Sequence, residues 1–462
     1  MSPARTAPWL RVAPAVFLLA WGGNHFTPLL HLYEELGHYS PWQANLLLGL
    51  YVVGLIPGLL VAAALSDRHG RRPVLLAGLA AGALGSVLLG AGLHSMILLC
   101  AGRALAGIGV GVAMSVGASW IKELSAPPHD LLAADGAGSR RPSLTLTLGF
   151  ALGAAVTGSL AQWGPAPAIV PYAVHLVLAA VAVLPVLSAP ETVGHRTRPA
   201  GPWWQDLRVP SIGHRRFTRI VLPAAPWVFA AAGVAYAVMP AVVAPGLDGW
   251  ATLYATVLTV LTLGSGAAVQ PFVAGLDRRT RGRALSLGMA LMVLGMVLAV
   301  AAGLLRSPVF ALAVAVALGV AYGITVVAGL AHVQAIATPQ DLAGLTGVFY
   351  ALAYSGFLLP TLLAALLPVS PYPASLAVVA LVCVVCLAAV SAGLWRLRRQ
   401  SAAATPRAPG PRSSGPRRAG SPLPPHVGDR SAPVRRGRAR ERHRCPCPGR
   451  IGSSRRARPR PG

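Results

Sequence analysis

The sequence predicts an all-α integral membrane protein, with twelve transmembrane helices in two pseudo-symmetric six-helix bundles. Three observations carry that prediction. The 462 residues are 55% hydrophobic and only 11% charged, with a mean hydropathy of +0.61, whereas soluble domains carry roughly 25% charged residues. Apolar runs of membrane length recur along the chain. The cations fall in the segments on one side of those runs.

A helix needs about 20 apolar residues to cross the hydrocarbon core. Windows of that size lie at 12–33, 43–65, 74–94, 97–121, 143–163, 167–189, 218–240, 250–275, 284–304, 308–333, 342–367 and 372–395. Arg5 and Arg11 precede the first run. No small-residue cleavage pattern follows before Trp21, so the run reads as a first span and not as a removed signal. Spans three and four nearly abut, as do five and six, where Gly164-Pro165 supplies a turn.

Charge placement tests the count. With residues 1–11 cytoplasmic, the inside segments hold 18 of the 20 cations found before residue 396. Arg306 alone falls outside, and Arg103 lies within the fourth span. A wrong span count would scramble this alternation, so the positive-inside bias supports twelve spans with both termini in the cytoplasm. The loop 190–217 separates the two six-span halves, 12–189 and 218–395. Its Trp203-Trp204 pair suits the membrane interface. A multi-pass protein of the inner (plasma) membrane, acting as a monomer, is expected.

Residues 396–462 hold 19 arginines against Asp429 and Glu441, so this tail carries +17 of the net +26. Such Arg/Pro/Gly/Ser-rich composition predicts disorder. The tail suits anionic lipid head groups and, less specifically, nucleic acid. It is also what a shifted reading frame in GC-rich DNA would encode. Because the charge sits there, no nucleic-acid partner is expected for the body. Lys122 is the only lysine, a usage that fits a GC-rich bacterial genome. Cys100, Cys383 and Cys386 lie in apolar runs and read as small hydrophobes.

The most informative stretch is Ser66-Asp67-Arg68-His69-Gly70-Arg71-Arg72-Pro73, between spans two and three. Its acid and arginines are echoed by Asp277-Arg278, 210 residues later. Gly107, Gly111 and Gly117 of span four are echoed by Gly319, Gly323 and Gly329, each 212 residues later. Parallel halves with a substrate site between them are a known transporter plan.

Residues 63–72 resemble the signature loop between helices 2 and 3 of the major facilitator superfamily, with alanine at 63 where the family usually has glycine. Arg103-Ala-Leu-Ala-Gly107-Ile-Gly109-Val-Gly111 resembles the family's helix 4 motif, and Lys122-Glu123-Leu124 its exit. The resemblance covers residues 12–395. It implies secondary transport by alternating access. Span five keeps Gly149, Gly153 and Gly158 but lacks the proline of the motif found in many proton-coupled exporters.

Several residues are candidates for the mechanism. Asp67, Arg68, Gly70, Arg71 and Arg72, with Asp277 and Arg278, read as a conformational latch or as simple topology anchors. Gly70 would permit a turn with positive φ. Arg103 is the one full charge inside a span, at a cost of at least ~2.5–3.5 kcal/mol, so it should face a polar cavity. It would bind an anionic group, relay a proton, or pair with a carbonyl. Asn24 and His25, mid-run in the first span, would line that cavity, and histidine titrates in a useful range. Gly107, Gly111, Gly149 and Gly153 mark close helix packing. His175 reads as a packing residue. His332 and Gln334 read as interfacial. Tyr51, Tyr236, Tyr254, Tyr322, Tyr350 and Tyr354 could offer hydroxyls and ring faces.

No carboxylate falls at the midplane, which leaves His25 as the default proton carrier. No Walker loop occurs, so ATP does not drive the cycle directly. No His/Cys cluster suggests a metal. No cofactor and no enzymatic activity are expected. The function predicted is transport of a small organic solute, with protons as a candidate coupling ion. Export of a drug or metabolite is favoured over uptake of a sugar or organic acid. A membrane sensor or scaffold using the basic tail is the rival class.

Overall fold

The computed structural model describes residues 7–134, 136–193, 209–247, 249–338 and 342–404. The tail from 405 and the Trp203-Trp204 segment lie outside the described residues. Among the described residues, eleven helices are long and apolar enough to cross a membrane. They are α3 (Pro41–His69), α4 (Arg71–Ala91), α5 (Met96–Leu124), α6 (Ala137–Trp163), α7 (Val170–Leu187), α8 (Phe217–Gly246), α9 (Ala251–Arg279), α10 (Ala284–Leu305), α11 (Pro308–Gln334), α12 (Gly344–Ala365) and α13, whose helix runs Tyr372–Ala404. The twelfth span is the first, built from two shorter pieces, α1 (Ala13–Asn24) and α2 (Leu30–Gly37).

That break corrects the expectation of one continuous first helix. Pro28 has no N–H to donate, and its ring excludes a regular preceding turn. The chain therefore leaves the α-helix after Asn24 and passes through a 3₁₀ turn, Thr27–Leu29. Asn24 and His25 thus sit at a helix break and not mid-helix. The last span differs too. Its helix continues to Ala404, past the expected end at 395, and Arg399 stacks on Trp395 with 3.7 Å between Cζ and the ring centre.

The two halves pack alike. In the first, α3 crosses α5, α4 packs on α5 and α7, and α1 packs on α6. In the second, α9 crosses α11, α10 packs on α11 and α13, and α8 packs on α12. The halves even start their equivalent helices alike. Ser95 caps α5 through the Leu98 N–H and Ser307 caps α11 through the Phe310 N–H, again 212 residues apart. Exposed apolar side chains stripe the outer helices: Val177, Val181 and Leu184 on α7, and Val378, Leu381 and Val385 on α13. Lipid replaces water as the solvent for such faces.

Across the halves, α6 packs on α9, and α3 packs on α12. Near the face opposite the arginine-rich loops this contact is tight. A Cβ on Gly158 would fall 1.8 Å from Thr256 Oγ1. Gln162 donates to the Gly249 carbonyl at 3.2 Å and accepts from the Leu253 N–H at 3.2 Å. Thr361 donates to the Asn45 carbonyl at 2.8 Å.

Candidate functional site

A cavity of about 420 Å³ lies between the halves, a volume usual for small-ligand sites. Its wall combines Asn24, Thr27 and Arg103 with Tyr51, Tyr236, Tyr322, Tyr350 and Tyr354. Two π-helical turns serve it: Ala113–Gly117 in α5 presents Met114, and Val234–Val238 in α8 presents Tyr236. Ser139 and Ser143, exposed at the start of α6, carry the cavity toward the arginine-rich face. A separate pocket of about 20 Å³, beside His31 and Glu34, shares Thr27 and Tyr236 with this cavity.

Arg103 is wholly buried in the wall. Its Nε donates to the Leu47 carbonyl at 2.9 Å. Its Cζ lies 4.5 Å from the Phe26 ring centre and 4.8 Å from that of Tyr51, so two aromatic faces partly replace water for the cation. Nη1 and Nη2 have no hydrogen-bond partner. Among the described residues no Asp or Glu lines the cavity.

Asn24 joins Arg103 at the wall. Its amide donates to the Phe150 carbonyl at 3.0 Å, and the Thr27 hydroxyl donates to its Oδ1 at 2.8 Å. His25 does not line the cavity and sits behind it, fully buried. It is edge-on to Tyr172 at 4.8 Å and to His175 at 5.1 Å, with neither ring nitrogen partnered. His175 is held as a packing residue, by Ser86 Oγ at 2.9 Å and by donating to the Leu18 carbonyl at 2.9 Å. Tyr254 is also taken up structurally, donating to the Pro308 carbonyl at 2.6 Å. His332, in the last turn of α11, accepts from Arg216 Nε at 3.1 Å.

At the arginine-rich face the loop between α3 and α4 shrinks to one residue, Gly70, with φ 101°. Asp67 and Arg68 complete the last turn of α3, and Arg71 opens α4. Arg71 pairs with Asp67 at 2.7 Å, with Glu123 at 2.7 and 3.3 Å, and with Ser66 at 2.9 Å. Glu191 accepts the Arg71 and Arg72 backbone N–H groups at 2.9 and 3.0 Å, capping the start of α4. Partial burial pushes the Glu191 carboxyl up. The backbone N–H donors, led by Arg72 and Arg71, outweigh that and hold it below the ordinary range.

The strand of chain after α7 is tied down on every side. Arg11 donates to the Ser188 carbonyl at 2.7 Å, Trp120 to the Pro190 carbonyl at 3.0 Å, and Arg72 to the Ala189 carbonyl at 2.5 Å. The Thr192 hydroxyl bonds Glu123. Sequence reasoning missed Glu123 and Glu191 as partners of the loop. The signal available was the position of each, an acid just past the inner end of a span. Among the described contacts, the ion pairs of Asp67 and Arg71 and the bonds of Arg72 reach only the first half and Glu191 just after it. Asp277 in the second half accepts the Ala284 N–H at 3.1 Å, and Gly282, with φ 76°, donates to the Asp277 carbonyl at 2.7 Å. Arg278 lies beside it in the last turn of α9.

The four glycines singled out sit where backbones meet. A Cβ on Gly107 would lie 2.0 Å from the Tyr51 carbonyl oxygen, and one on Gly111 2.5 Å from the Leu59 nitrogen. On Gly149 it would meet the Phe17 carbonyl at 2.4 Å, and on Gly153 the Trp21 Cα at 2.7 Å. The first pair sets the α3–α5 crossing that carries Tyr51 to Arg103. The second sets α6 against α1, beside Asn24.

The family description "Major Facilitator Superfamily" matches residues 12–258, over half of the chain. Two crystal structures of the nucleoside transporter NupG share the fold. A point mutant aligns with TM-score 0.67 at 11% identity, covering 84% of this chain and 99% of that one. A second NupG structure aligns with TM-score 0.64 at 10% identity and the same coverage. No curated protein matches the sequence. Motif loop, paired bundles and family match converge: the chain belongs to the Major Facilitator Superfamily, a family of multi-pass membrane transporters.

Proposed function

We propose that the chain exports a small drug-like or metabolite molecule across the plasma membrane by alternating access, coupled to protons. The observation that carries this reading is the cavity between the halves, broad toward the arginine-rich face and sealed by Gln162, Thr256 and Thr361 at the other. The positive-inside bias assigns the broad end to the cytoplasm. Transport follows when the seal opens and the arginine-rich ends of the halves close. His25 is the proton carrier in this reading, because it is the buried imidazole nearest the cavity with free nitrogens. The loop at 66–72 and the turn at Asp277-Arg278 stiffen each half during that rocking. The largely apolar, aromatic wall favours export over uptake of a polyhydroxylated sugar. A nucleoside, the cargo named for the solved neighbours, also suits a tyrosine-lined wall and belongs among the test solutes.

Proteoliposomes with and without a pH gradient test the reading. Gradient-driven solute efflux, lost in His25→Gln, is the expected result. Proton-driven accumulation in the opposite sense would establish an uptake symporter instead. Absence of flux for every solute class, with a phenotype lost on deleting residues 405–462, would favour a sensor or scaffold.

A further inference from the structure

We infer that the cargo is a flat organic monoanion, an aromatic carboxylate, whose carboxylate neutralises Arg103. The inference rests on the transporter reading and names the substrate class of its cavity. Three observations carry it. First, the cavity wall holds one full positive charge and, among the described residues, no negative one. An unpaired charge in a membrane interior is costly, and the usual remedy is a protein carboxylate. Here none is present in the wall, so the bound solute is the available counter-ion.

Second, the arginine is prepared for a planar anion. Its Nε is fixed by the Leu47 carbonyl at 2.9 Å, while Nη1 and Nη2 are left without partners. Two terminal nitrogens of a guanidinium match the two oxygens of a carboxylate in a forked pair. The side chain is shielded by Phe26 and Tyr51 in this conformation. Binding therefore requires the Tyr51 ring to turn aside and give its place over the guanidinium to the solute. Tyr51 lines the cavity and has Tyr354 of the other half at 6.2 Å, so the movement would be felt across the interface.

Third, the opposite wall suits a ring. Phe229 stacks on Tyr354 at 4.1 Å and neighbours Phe357 at 4.9 Å, and all three line the cavity. Such surfaces hold a flat apolar body by offset or edge contacts. They add no cation. A cationic amine would meet Arg103 with like charge. A neutral amide would offer one acceptor oxygen and no counter-charge.

Two isosteric sets discriminate: indole-3-acetate, indole-3-acetamide and tryptamine, and benzoate, benzamide and benzylamine. Binding is read by thermal stabilisation of the purified full chain in nanodiscs, and flux is read in proteoliposomes. In at least one set the carboxylate should bind at least roughly tenfold tighter than its amide and amine, the scale of one charged hydrogen bond. Arg103→Gln should erase that preference, and Arg103→Lys should restore part of it, since a point charge replaces the fork. Equal or tighter binding of the amide or amine would overturn the inference, as would a carboxylate preference that survives in Arg103→Gln. If Arg103→Gln fails to fold, the wild-type binding ratios decide alone. Flux of neutral or cationic solutes with carboxylates excluded would reject the anion and keep the transporter. Carboxylate-selective binding without any flux would keep the anion site and reject transport.

Discussion

At the scale of single residues, the cavity is governed by one arginine whose surroundings do little for its stability. Nη1 and Nη2 are unpaired and buried. Replacing such a group by an apolar chain of similar length is often neutral or stabilising. Arg103→Met should therefore keep its stability to within about 1 kcal/mol or gain some, while transport is lost. Thermal unfolding beside a flux assay checks both halves of that statement. Gly107 behaves oppositely. With the Tyr51 carbonyl 2.0 Å from any Cβ, Gly107→Val must push α3 from α5. Overpacking of this kind costs about 1–3 kcal/mol, visible as a lower melting temperature in detergent. Because Tyr51 sits on that crossing, ligand affinity should fall with it.

At the scale of elements, the clamp around Arg71 should be pH-sensitive in a definite sense. The Glu191 carboxyl is held below its ordinary value of 4.5. Its contribution is complete above that ordinary value and fades as pH falls through the lowered one. Amide protection of residues 188–193, corrected for the intrinsic pH dependence of exchange, should thus be high at neutral pH and fall in acid below about pH 4.5. Glu191→Gln should show low protection at both ends of that range. How far these elements were legible in the sequence depends on the kind of signal. Gly70 was readable as a turn, because a lone glycine between charged ends of two apolar runs leaves few alternatives. The close crossings were readable from Gly107 and Gly111, since small residues four apart line one helix face. The break at His25 was hidden, because the run stays apolar through it and only Pro28 hints at it. The Glu191 clamp was hidden because it joins residues 119 and 120 apart, and no local pattern carries such a contact. His25 was expected to line the cavity with Asn24, and which way it faces could not be read without the break.

At the scale of the whole molecule, the proposed alternating access requires the α6–α9 contact at the sealed face to open. Cysteines replacing Gly158 and Thr256 would stand close enough to cross-link, as Cβ positions there are 2.7 Å apart before relaxation. Oxidising Gly158→Cys/Thr256→Cys should stop flux while leaving ligand binding from the arginine-rich side intact, and reductant should restore flux. Unchanged flux in the oxidised, cross-linked protein would show that this contact does not part during the cycle.

The single residue between α3 and α4 has a mechanical consequence. A hairpin with one residue at its bend has no slack. Tilting α3 by a few degrees hands the torque to α4 almost undiminished. The bend is then an elbow of fixed stiffness, set by Gly70 and splinted by Glu191. Two further glycines inserted after Gly70 would keep every charged side chain yet turn the elbow into a free joint. The halves would still bind cargo, and the stroke would slip.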